Sequence, residues 1–173
     1  MAQAWTVPGL RGTARFRDAA GRIILTRWAE MMSYRDGTMA GEDIEELHAM
    51  RVSSRRLRAA MDAFAAAFPP KSFNRYLRRV KEITDTLGEA RDLDVAIEAL
   101  TGLLGDVRPD ERAGIEGLVA RYRQNRGEED ARIAAVFARL EEDDFERRFT
   151  RYIERHTGVG LRSLHPRAPK DER

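Results

Sequence analysis

The chain contains no cysteine at all. That excludes a disulfide framework, a thiolate metal site and cysteine-based redox or nucleophilic chemistry. No apolar run approaches the roughly 18 residues needed to cross a bilayer as a helix. Met1 to Gly12 holds no apolar stretch of signal-peptide length, so a cytoplasmic location is the default expectation. Strict apolar–polar alternation over strand length is also missing, and this argues against β-structure. Net charge is scarce as well, at +2 for 173 residues, and by itself implies no anionic partner.

What is present is charge, at 35% of residues, distributed unevenly. Residues 51–81 hold nine basic side chains (Arg51, Arg55, Arg56, Arg58, Lys71, Arg75, Arg78, Arg79 and Lys81) against one acid, Asp62. Residues 128–146 hold eight acids against Arg132 and Arg139. Such asymmetry speaks about partners and association.

Apolar residues recur at steps of three and four, the helical period. The spacing predicts a helix from about Thr13 to Arg35, stopped by Asp36-Gly37, and a second from near Glu42 to about Phe68, ended by Pro69-Pro70. A third is predicted from Lys71 or Ser72 to Gly88, and a fourth from Leu93 to Leu104 with Asp92 as N-cap. Pro109-Asp110 opens a long helix with a soft spot at Gly127, and Phe145 to His156 extends the pattern. The expectation is an all-α antiparallel bundle of five or six helices over residues 13–156, with an N-terminal extension (1–12) and a flexible tail (158–173).

At about 100° per residue, His48, Arg51, Arg55 and Arg58 share one face about 80° wide. Leu47, Met50, Leu57, Met61 and Phe64 form the adjacent apolar stripe, and Arg56 stands apart from both. Like charges at these spacings destabilise a helix by roughly 0.2–0.5 kcal/mol per pair. No acid lies between Arg51 and Arg58, so other helices or a bound anion should supply the compensating charge. The acidic 128–146 region is the internal candidate, and pairing there would make the row purely structural. Arginine suits phosphate because its planar fork makes bidentate, charge-assisted hydrogen bonds. A protonated histidine in the row would donate to the same oxygens, so lower pH should tighten binding. On the third helix Arg78 and Lys81 flank one side of the apolar stripe and are the favoured ligands. Arg75 and Arg79 flank the other, with Glu82 a possible partner for them. Asp92 and Asp94 complement the dipole of the helix they open or buttress Arg91 or arginines of the second helix; no histidine or third acid is spaced to complete a metal site or a hydrolase with them, and no cofactor is expected.

The run Leu47-His48-Ala49-Met50-Arg51-Val52-Ser53-Ser54-Arg55-Arg56-Leu57-Arg58, followed by Leu87-Gly88 and Arg91-Asp92-Leu93-Asp94-Val95, resembles the CHAD family, the conserved-histidine α-helical domains. The resemblance implies a helical bundle that binds inorganic polyphosphate in a basic central groove, without catalysis, in some cases on polyphosphate or storage granules. It carries His48, Arg51, Arg55, Arg56 and Arg58 over as ligands, with Lys81 and Arg91 matching less sharply. It also implies a second helical half with its own basic motif. Neither His156 nor His165 is followed by an arginine row, so the chain resembles one half or a shortened form, and a homodimer would rebuild the groove. The alternatives are a nucleic-acid-binding protein and a granule-associated structural or interaction protein. Against the first, no aromatic is interleaved in the basic row.

Overall fold

A computed structural model describes residues 3–41 and 43–164. It is all-α, with no strand among the described residues. Five helices exceed ten residues: α1 (Phe16–Met32), α3 (Ile44–Ala63), α4 (Pro70–Leu103), α5 (Pro109–Glu142) and α6 (Phe145–Thr157). Two are short, α2 (Arg35–Ala40) and α7 (Leu161–Leu164), and a 3-10 turn (Ala65–Ala67) follows α3.

Local chemistry sets most boundaries. Asp43 caps α3 by accepting from the Glu45 amide at 2.8 Å, and Glu45 and Glu46 place negative charge in its first turn. Pro70 and Pro109 open α4 and α5, where a missing N–H costs nothing. Gly41 and Gly158 end α2 and α6 in the left-handed conformation, at φ 68° and 75°.

Three expected boundaries are corrected. The first helix ends at Met32, before the Asp36-Gly37 pair read as its stop. The Ser33 hydroxyl donates to the Glu30 carbonyl at 2.8 Å, a local competitor to the helical ladder. Asp36 and Gly37 lie inside α2, and Gly37 sits where a Cβ would meet the Glu46 side chain at 2.6 Å. The second helix gives way at Phe64 to the 3-10 turn. The third correction is the largest: Gly88 does not close a helix and Asp92 does not cap one. Both lie inside α4, whose 34 residues run unbroken for about 51 Å. Gly127 likewise leaves α5 continuous, as expected for one long helix.

The core sits at one end of the long helices. Trp28, Ile24 and Met31 of α1, Met50 and Leu57 of α3, Phe73, Val80 and Leu87 of α4, and Phe137 and Leu140 of α5 are buried together. Phe145, Phe149 and Ile153 close it from α6. Beyond Ala90 and before Ile133, the α4–α5 hairpin buries only Asp94, Val119 and Glu129. There polar clamps replace core. The Arg126 guanidinium donates to Asp94 at 2.8 Å and to Asp130. Burial alone would lower the Arg126 pKa, but the two carboxylates outweigh it and hold it above the ordinary value.

Both ends of the described residues lie against this body. The Trp5 carbonyl accepts from Arg27, and the Pro8 carbonyl from Arg22 at 3.1 Å. Residues 158–164, expected to begin a flexible tail, are docked: Val159 and Leu164 are buried in the core. The rest of that expected tail, His165 included, lies outside the described residues.

Candidate functional site

The sequence-predicted row survives as geometry. Arg51, Arg55 and Arg58 line one side of an open groove of about 620 Å³ between α3 and α4. The helical period places them on one face, and Leu47, Met50, Leu57 and Met61 anchor the neighbouring face in the core. Gly88 stands opposite. A Cβ there would sit 3.8 Å from the Arg51 Nε, an ordinary van der Waals contact, so Arg51 passes beside this position of α4.

The opposite wall is acidic. Asp85, Glu89 and Asp92, one turn apart on α4, line the groove, and Asp62 joins them from α3. Arg51 Nη2 lies 3.7 Å from Asp92, and Arg58 Nη1 lies 3.7 Å from Asp85. Moving seven residues forward on α3 moves seven back on α4, so the helices are antiparallel and in register across the groove. A third pair, Arg58 with Asp62, spans 4.0 Å. All three pairs are long and solvent-exposed, the kind worth roughly 0–1 kcal/mol. Arg55 is exposed, with no ion pair or hydrogen bond among the described residues. The compensating charge therefore comes from α4. The acidic 128–146 region serves other cations: Glu141 holds Arg35, Asp143 holds Arg79 at 2.6 Å and Asp144 holds Arg147.

The other expected ligands divide. His48 lies one turn from Arg51 on the same face but does not line the groove. It is half-buried, and its Nδ1 is buried without a hydrogen-bond partner. Arg51 Nε and Arg91 Nη1 are orphaned in the same way. Such buried groups cost roughly 1–3 kcal/mol each until something satisfies them. Arg91 is half-buried on α4 beside Asp92, off the groove lining. Arg78 and Lys81 are exposed on the α4 face that carries Asp85 and Asp92, two turns and one turn before Asp85. They extend the groove face beyond its lining.

Arg56 is placed elsewhere. Its Nη1 donates at 2.8 Å to Oε1 of Glu30, a fully buried carboxylate that also accepts from Arg27. The wheel had set Arg56 apart, and the structure supplies the reason. Arg79 pairs with Glu82 at 3.0 Å as well as with Asp143, which together raise its pKa. Asp92 and Asp94 diverge, one towards Arg51 and the other towards Arg126, and so form no paired-carboxylate site. His156 is structural: its Nδ1 donates to the Tyr152 carbonyl at 2.8 Å, and its ring packs on Tyr152. The sequence reading had Asp92 as a buttress for arginines of α3 but missed Asp85 and Glu89, which complete the groove's acidic wall. The signal was present in the steps of four and three joining Asp85, Glu89 and Asp92.

Fold and groove together define an all-α bundle that presents an arginine row on the second long helix against an acidic wall on the third. The sequence model of the CHAD domain matches residues 22–171, nearly the whole chain, and the chain belongs to the CHAD family. CHAD domains are a family of binding domains, associated in general with polyphosphate. No curated protein and no solved structure gives a match. No helix among the described residues is long and apolar enough to cross a membrane.

Proposed function

We propose that this protein binds inorganic polyphosphate, without catalysis, along the α3–α4 groove. The observation that carries the reading is the alignment of Arg51, Arg55 and Arg58 along one side of a single open groove, in a chain of this family. The ion pairs of the groove are weak enough to exchange. A polyphosphate chain offers each guanidinium a closer, bidentate partner than a carboxylate 3.7 Å away. Arg78 and Lys81 lengthen the track, and the unsatisfied nitrogens of His48, Arg51 and Arg91 gain acceptors if the side chains turn towards the anion.

The test is polyphosphate binding by the parent and by a His48→Ala, Arg51→Ala, Arg55→Ala variant at two salt concentrations. The variant should stay folded and bind at least about 100-fold more weakly, since each charge-assisted contact is worth roughly 1.5–3 kcal/mol. Its salt dependence should be shallower, because fewer counterions are released. Unchanged affinity in the folded variant refutes the site. The acidic wall predicts the opposite sign for Asp85→Asn: polyphosphate should bind about two- to threefold tighter, as removing one exposed competitor worth under 1 kcal/mol allows. Titration calorimetry of the single variant reads this directly.

The groove's walls come from α3 and α4 alone, so one side is open. We propose that a second copy covers it, as a homodimer. Light scattering that finds only monomer at micromolar concentration rules this out. The same reading puts the protein in the cytoplasm, on polyphosphate or storage granules where these form. A second reading, a structural or interaction protein, draws on the ion pairs themselves, which would then serve only to stitch α3 to α4. Charge reversal of Arg51 and Arg55 separates the two: collapse of the fold in a protein whose parent never bound polyphosphate favours the structural role. Nucleic acid is the remaining alternative ligand, and long-chain polyphosphate should displace it far more readily than the reverse.

A further inference from the structure

The described surface has a second concave site that the α3–α4 reading does not use. It is a cleft of about 560 Å³ at the corner where α6 turns into α7, within the range of roughly 300–1,000 Å³ that holds small ligands. Arg147, Arg151 and Glu154 of α6, the turn glycines Gly158 and Gly160, and Arg162 of α7 border it. Its charge is three guanidiniums against one carboxylate, whereas the α3–α4 groove sets three guanidiniums against four carboxylates. The corner is therefore the more positive of the two concavities, although it lies outside the basic segment of the sequence.

How these groups are engaged matters more than their number. Arg147 is held by Asp144. Arg151 and Arg162 have no ion pair or hydrogen bond among the described residues. The one acid, Glu154, lies against the turn: a Cβ on Gly160 would meet its carboxylate at 2.6 Å, so the glycine leaves room for it. The hydroxyls of Thr150 and Ser163 also border the cleft, but both donate to backbone carbonyls, of Glu146 and Gly160. Recognition is thus left to the guanidiniums. Their supports are firm. Phe149 and Ile153 anchor α6 in the core, while Val159 and Leu164 bury the turn and the end of α7. The backbone that carries the two guanidiniums is therefore fixed before binding, and only their side chains have to be ordered.

We propose that this corner is a second anion site, which takes a compact polyvalent phosphate such as an oligophosphate, a chain end or a nucleotide triphosphate group, between Arg151 and Arg162. Planar guanidiniums match phosphate oxygens bidentately and stay charged at every physiological pH. The site shares no residue with the α3–α4 groove and does not depend on the function proposed for it.

Calorimetry on the full chain with sodium tripolyphosphate tests it, using the parent, an Arg151→Ala, Arg162→Ala variant and the α3 triple variant. The corner variant should lose tripolyphosphate affinity at least tenfold while retaining long-chain polyphosphate binding. The α3 variant should keep the tripolyphosphate binding that the corner variant loses. ATP in place of tripolyphosphate should compete in the parent if triphosphate groups suffice; ATP that fails to compete narrows the ligand to inorganic chains and supports the site equally. An unchanged tripolyphosphate isotherm in a folded corner variant, or a parent that binds none, overturns the proposal. Both removed side chains are exposed, and the urea midpoint verifies that the variant folds.

Discussion

A Glu30→Ala variant is expected to lose about 3–5 kcal/mol of folding stability, the usual cost of breaking a buried ion network by removing one partner. Glu30 is fully buried, with Oε1 accepting from Arg56 and Oε2 from Arg27. Arg27 is buried too, and donates onward to the Trp5 carbonyl, so the carboxylate ties α1, α3 and the N-terminal segment together. Burial lowers the Arg27 pKa below its ordinary value, Glu30 opposes that and Arg56 adds to it. Removing Glu30 takes away the carboxylate that joins the Arg27 and Arg56 guanidiniums. Urea unfolding should show a lower midpoint at unchanged slope. Replacing Arg27 and Glu30 together by methionine and leucine should recover most of the loss, because apolar residues of similar volume often equal a buried pair. If the single variant is as stable as the parent, the network is not holding these segments.

Trp28→Ala should cost a similar amount, about 3–5 kcal/mol, through a different mechanism. Trp28 is among the largest fully buried side chains, and its ring meets Phe149 at 5.1 Å and Phe145 at 5.6 Å. Truncation removes the contact between α1 and α6 and leaves a large cavity. At roughly 2–4 °C per kcal/mol for a chain of this size, the melting temperature should fall by about 6–20 °C. Trp28→Phe should be much milder, because the indole Nε1 has no hydrogen-bond partner to lose. Calorimetric melts of both variants would show this ordering, and an equal loss in the two would place the stabilisation in the indole N–H and contradict the packing argument.

Much of the architecture was legible because helix periodicity is a local property. The apolar stripe of Leu47, Met50, Leu57 and Met61 is buried as drawn on the wheel, and the row of Arg51, Arg55 and Arg58 follows from the same geometry. Pro109 marked a helix start and Gly158 a helix end correctly. Gly88 did not, since a glycine that ends a helix and one carried inside a long helix look identical in sequence. Val159 and Leu164 were read as tail because two apolar residues in a polar stretch carry no period of their own; burial against α1 and α6 orders them.

The arginine row itself was a matter of sequence alone: spacing determined that Arg51, Arg55 and Arg58 share a face beside an apolar stripe, whatever that face meets. Only the tertiary structure decided what it meets. The antiparallel packing of α3 on α4 brings Asp85 and Asp92 to the arginines, the packing of α3 on α1 brings Arg56 to Glu30, and the acidic region after Glu128 meets other partners. Helical period is set by backbone geometry within a few residues. Charge pairing is set by which helices touch, and that depends on side chains far apart in the chain.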